Sequence, residues 1–209
     1  MLTLHRAAFV LPDPAGSGAS QADGAVLVRG ELVEAVGPFG ELAAAHPDAR
    51  VRDWGAAVLA PGLRNPYGHW LLERAYHPDP REEIGAEPVP GGLDGERDDV
   101  RCGASARRGL QRMLGFGVTA VAGPFERASV RTAVTRSGLA ALAPGGGDAG
   151  EGPLDPLAVL SLAQAVHGRI AAGGRADFAV FACDGDAPLP RPGGCLATVL
   201  GGRLVYRRR

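Results

Sequence analysis

The residues with the clearest capacity for chemistry stand in one decapeptide, PGLRNPYGHW, from Pro61 to Trp70. An apolar run over 56–60 leads into it and predicts a strand that continues toward Asn65. Alternate residues of an extended strand share a face, so Tyr67 and His69 are expected on one side, about 7 Å apart. An imidazole at a strand end is a good ligand for a catalytic divalent metal. A phenol ligates only after losing a proton whose pKa is about 10. The spacing by itself places one imidazole beside one phenol.

The other candidates are scattered. His5 falls in the first predicted strand, His46 precedes a short strand, His77 lies in an acidic loop and His167 stands before the last strands. Cys102, Cys183 and Cys195 form no CxxC pair, and an odd count without metal spacing reads as reduced thiols. All 22 basic residues are arginine. Without lysine there is no Walker-type phosphate loop, no Schiff base and no lysine bridging two metals. Neither GxSxG nor HExxH occurs. The dense carboxylates over 79–99 read as solvent-facing.

Composition narrows the class. A chain of 209 residues, 45% hydrophobic and 22% charged, can bury a sizeable core in one or two domains. A formal net charge of −1 gives no reason to expect nucleic acid or an anionic membrane as partner. The terminal Arg207-Arg208-Arg209 reads as a solvated tail. No run approaches the roughly 20 apolar residues of a spanning helix, and the start lacks a signal-peptide pattern, so a cytoplasmic location is expected.

These residues need elements to position them. Strands are predicted over 2–11, 25–28, 32–36, 49–54 and 56–60, with a hairpin turn at Arg29-Gly30-Glu31. A second strand group covers 177–183, 195–200 and 203–207. Each group alone is small for a stable core, so a sheet domain built from both chain ends is expected. Between them, helix 104–114, strand 118–122, helix 126–136 and strand 139–143 read as α/β wiring, with a further helix over 157–166. The Pro- and Gly-rich stretches 76–99 and 144–153 are expected to be poorly ordered.

Five segments resemble the amidohydrolase superfamily. PGL-x-N-x-Y-x-H resembles its first barrel strand, PGL-x-N-x-H-x-H, with Tyr67 at the first histidine position. ADGAVLVRGELVEAVGPFGELAAAHPDARVRDW resembles the accessory β-sandwich of imidazolonepropionases and aminodeoxyfutalosine deaminases. LQRMLGFGVTAVAG resembles the helix that leads into the second barrel strand and that strand. GRIAAGGRADFAVF and TVLGGRLVYR resemble the return into the sandwich and its closing hairpin.

The resemblance implies an α/β fold with a composite β-sandwich from 1–60 and 174–209, and a truncated, unclosed (β/α) barrel segment from 61–173. It makes His69 and Asp148 weak metal candidates, with Asp148 also a weak catalytic candidate. Strands three to seven of the family barrel find no counterpart. The implied function is a non-catalytic or regulatory remnant of a metal-dependent amidohydrolase, with no cofactor expected. The alternatives are a divergent hydrolase of non-peptide carbon–nitrogen bonds in a cyclic amidine or purine-like substrate, using Zn or Fe, and a metal-free ligand-binding module. A homo-oligomer or a protein partner is expected to cover the exposed barrel edges.

Overall fold

The computed structural model describes every residue except 17, 144–149 and 184–188. Eight strands form one sheet: β1 (Leu2–Val10), β2 (Gln21–Arg29), β3 (Leu32–Pro38), β4 (Arg50–Asp53), β5 (Ala57–Pro61), β9 (Phe178–Ala182), β10 (Cys195–Leu200) and β11 (Arg203–Arg207). Their order is β11-β10-β9-β5-β1-β2-β3, with β4 parallel to the first half of β1 and β5 parallel to its end. The two chain ends meet where β5 pairs antiparallel with β9, Leu59 opposite Val180. Both termini therefore share one sheet, as the size of each strand group demands.

Alternation along β5 and β9 explains why both are apolar throughout. Ala57, Leu59, Phe178 and Val180 turn to one core with Ala7, Val26, Val28, Ala197 and Val199. Val58, Ala60, Ala179 and Phe181 turn to a second core shared with the α/β segment. A strand buried on both faces carries no polar side. The first core is drawn from strands across the whole sheet, so the sheet must curl upon itself. Its ends meet where the β10–β11 turn touches the β2–β3 turn: a Cβ on Gly202 would collide with the Gly30 carbonyl.

A second sheet holds three short parallel strands, in the order β6 (Leu63–Asn65), β7 (Val118–Ala122) and β8 (Ala140–Leu142). Helices α2 (Asp99–Leu114) and α3 (Ala128–Ser137) connect them. Two further short helices are α1 (Phe39–Ala45), beside β2 and β3, and α4 (Leu162–Ala165). The eight-stranded sheet and the parallel unit make a mixed α/β protein without a closed barrel among the described residues.

Three local expectations are corrected. Helix α2 begins at Asp99, five residues early, because the Asp98 carboxylate accepts from the amides of Val100 and Arg101 and caps it. The helix expected over 157–166 breaks into a 3-10 turn, Pro156–Ala158, and α4. Ser161 and Gln164 form a capping box that restarts the chain. The 76–99 stretch is anchored rather than loose: Tyr76, His77 and Leu93 are buried, and Tyr76 pairs with Val89 through two backbone hydrogen bonds. Its charged residues face outward while three large side chains reach the core. Residues 144–149 of the second stretch lie outside the described residues.

Candidate functional site

The decapeptide does not stay extended to its end. Strand β6 stops at Asn65, whose buried side chain redirects the chain. Its amide nitrogen donates to the carbonyls of Pro153 (3.0 Å) and Leu154 (3.1 Å), and its Oδ1 accepts from the Tyr67 amide (2.9 Å). The backbone then turns into a helical segment, with the Leu71 amide donating to the Tyr67 carbonyl and a π-helical turn over Trp70–Arg74. His69 has φ −56° and ψ −58°, which is helical. The expected common strand face for Tyr67 and His69 is therefore not formed. Gly68 sits between them because a side chain there would strike Val121 and the Ala122 carbonyl at the end of β7.

Each ring has its own setting. The Tyr67 ring lies against Gly152, where a Cβ would overlap its carbons. His69 Nδ1 lies 2.8 Å from the Pro124 carbonyl oxygen. A carbonyl can only accept, so Nδ1 carries the proton and Nε2 keeps its lone pair. His69 lines a cavity of about 270 Å³ with Glu73, Asp94, Glu126 and Arg127.

Glu73 and Arg127 organise that cavity, and nothing in their spacing announces it. Glu73, 5% exposed, accepts from the Arg127 amide at 3.0 Å and pairs with its guanidinium at 3.3 Å. Arg127 also donates to the carbonyls of Glu96 and Leu93 and to Cys102 Sγ. One arginine thus ties the β7–α3 connection to the 76–99 segment. Burial pushes the Cys102 thiol up, which keeps it a neutral partner. Both Glu73 oxygens are engaged, so this carboxylate is not an open ligand.

The remaining histidines are spread through the fold. His77 is buried beneath α2 against Gly109 and contacts the Leu71 carbonyl at 2.8 Å; burial lowers it to about 4. His5 is buried in the sheet, stacked with Trp54 and edge-on to Phe178, and burial lowers it to about 3. His167 is held by its backbone to the Gly62 carbonyl, with burial lowering its ring pKa. His46 caps the end of α1 through its backbone. Asp148 lies outside the described residues. Among the described residues, no group of three or more His, Cys, Asp or Glu side chains could share a metal ion.

Comparison with known proteins agrees with this architecture. Residues 24–49, from β2 into the turn before β4, match the bacterial imidazolonepropionase-like composite domain. Over those residues the resemblance to imidazolonepropionases holds. Guanine deaminase from Bradyrhizobium japonicum shares the fold, with a TM-score of 0.50 and 18% identity over 75% of this chain and 36% of that one. Aminofutalosine deaminase from Helicobacter pylori aligns at TM-score 0.47 and 17% identity, over 68% of this chain and 33% of that chain. A triazine hydrolase variant aligns at TM-score 0.48 and 22% identity, over 68% and 35%. This chain thus spans about a third of the length of those proteins. Among curated proteins, no sequence matches it.

Proposed function

We propose that this chain is a non-catalytic, regulatory or interaction member of the amidohydrolase superfamily. The observation that carries the reading is the exit from β6: the chain turns helical after Asn65, so Tyr67 and His69 do not present two ligands from one strand face. His69 offers one free nitrogen, Tyr67 is packed on Gly152, and Glu73 is spent on Arg127. A catalytic zinc or iron takes about three protein ligands, and this donor set does not fit one. The described residues by themselves therefore support no metal-dependent step.

On this reading 1–60 and 174–209 form one composite domain of sandwich type, and 61–173 is a partial barrel unit packed on it. A second copy or another protein covers the outer side of β8, in a cytoplasmic setting. Among the described residues, no helix is long and apolar enough to cross a membrane. The test is metal analysis of the purified chain with assays on guanine, aminodeoxyfutalosine and imidazolone substrates. The reading requires less than a tenth of an equivalent of Zn or Fe and no turnover above blank.

One observation favours the hydrolase alternative. A histidine donating Nδ1–H to a carbonyl and keeping Nε2 free is the arrangement of a metal-bound imidazole with its supporting hydrogen bond. Hydrolysis of a carbon–nitrogen bond that requires added Zn or Fe and disappears in His69→Ala would replace the first reading with this one.

A further inference from the structure

At the mouth of the curled sheet, far along the chain from His69, three arginines converge without a counter-ion. Arg50 and Arg52 stand two apart on β4, so both side chains share a face. Arg207 closes β11, the strand at one end of the order, whereas β4 pairs with β1 in its interior. With Val51, Asp53, Trp54 and Leu204 they line a cavity of about 190 Å³. Among the described residues, none of the three forms an ion pair.

The acid nearest in sequence is already committed. Asp53 Oδ2 accepts from Arg6 at 3.1 Å, and Oδ1 accepts from the Gly55 amide at 2.8 Å. The cationic groups, by contrast, are held in place. Trp54 donates its indole N–H toward His5 Nδ1 at 3.4 Å and stacks on that ring, and the Arg207 guanidinium lies 5.7 Å from the centre of the indole. Arg52 is half-buried and paired in register with His5 on β1. Burial first, then repulsion from Arg50 and Arg207, lowers the Arg52 pKa. Three like charges brought together and left unneutralised destabilise a fold by mutual repulsion, and an anion seated among them would reverse that effect.

We propose that Arg50, Arg52 and Arg207 form a binding site for a tetrahedral phosphate-type oxyanion at the junction of β4 and β11. Guanidinium groups match such oxyanions with paired N–H donors. The cavity is several times the roughly 30 Å³ share of one water, enough for the anion and some of its hydration. The Trp54 ring is already engaged by His5 and Arg207. The site therefore reads the oxyanion group rather than stacking a base.

The test is thermal unfolding of the whole chain in inorganic phosphate, titrated against sodium chloride at matched ionic strength. The expected result is a saturable rise in Tm specific to phosphate, with the half-saturating concentration raised about tenfold or more in Arg52→Gln and in Arg207→Gln. Arg50→Gln, at an exposed position, provides a second variant should either of those fail to fold. A parallel titration with phenyl phosphate separates the sources: tighter binding of the ester assigns the site to a phosphorylated small molecule, and tighter binding of inorganic phosphate to the free ion. A Tm response no larger than that to chloride, or an unchanged half-saturating concentration in the folded variants, overturns the proposal.

Discussion

The two halves of this molecule solve the same burial problem with unequal means. The eight-stranded sheet curls until its own ends touch, so strands from both termini cover a common core. Among the described residues the parallel unit has three strands, each of three to five residues, and borrows its core from the other face of the large sheet. Curling satisfies a sheet from within, whereas a short parallel sheet needs a neighbour. The organising interactions differ accordingly. They are apolar in the first region and polar in the second, where Asn65, Glu73 and Arg127 position the chain.

That contrast can be broken where it should be strongest. Phe178 lies fully buried in the curled sheet. Phe178→Ala should cost about 3–5 kcal/mol of stability, enough to consume most of a typical domain's margin. Urea unfolding that moves by less than 1 kcal/mol would mean the curled core is not the main source of stability.

Acid provides the next test. Burial holds His5 and His77 neutral in the folded state, at about 3 and about 4 against an ordinary 6.5. Between those values the unfolded chain binds more protons, so stability is complete above about pH 6.5 and declines as pH falls toward 4. The decline should reach a few kcal/mol by pH 4. His5→Phe should remove the sheet's share and leave that of the 76–99 segment. Equal slopes of stability against pH in the two proteins would show that His5 is not the group being titrated.

A smaller effect is expected at the polar tie of the parallel unit. Glu73→Ala leaves the Arg127 guanidinium, one-quarter exposed, without its carboxylate. The expected loss is about 2 kcal/mol, below the full cost of breaking a deeply buried pair. Hydrogen exchange should rise first in the 76–99 segment, which Arg127 holds through Leu93 and Glu96. Increased exchange confined to β5 and β9 would place the coupling elsewhere.

The smallest expected change is at the first-histidine position. Tyr67→His should leave metal content unchanged, because the chain is already helical at His69 and the two rings do not share a strand face. Stoichiometric zinc in that variant, measured after dialysis, would show that the turn can open into an extended strand.

Much of the fold was legible without coordinates. The strands read over 56–60 and 177–183 are present as β5 and β9, and the two small strand groups at opposite ends of the chain share a sheet as their size required. The segment at 24–49 carried its kinship openly. These features rest on local periodicity and apolar content, which a sequence displays directly.

The functional details depended on contacts between distant residues. Alternation predicted one face for Tyr67 and His69, but Asn65 binds the carbonyls of Pro153 and Leu154, nearly ninety residues on, and ends the strand early. His77, in a stretch whose composition suggested disorder, is buried because α2 offers Gly109 beneath it. Arg207, which reads as part of a solvated tail, comes to rest over Trp54 beside Arg50 and Arg52. Strand and helix type follow from local patterning, which the chain carries within a few residues. Where a side chain points, and which charges lack a partner, depends on long-range packing, and only the tertiary structure decided that.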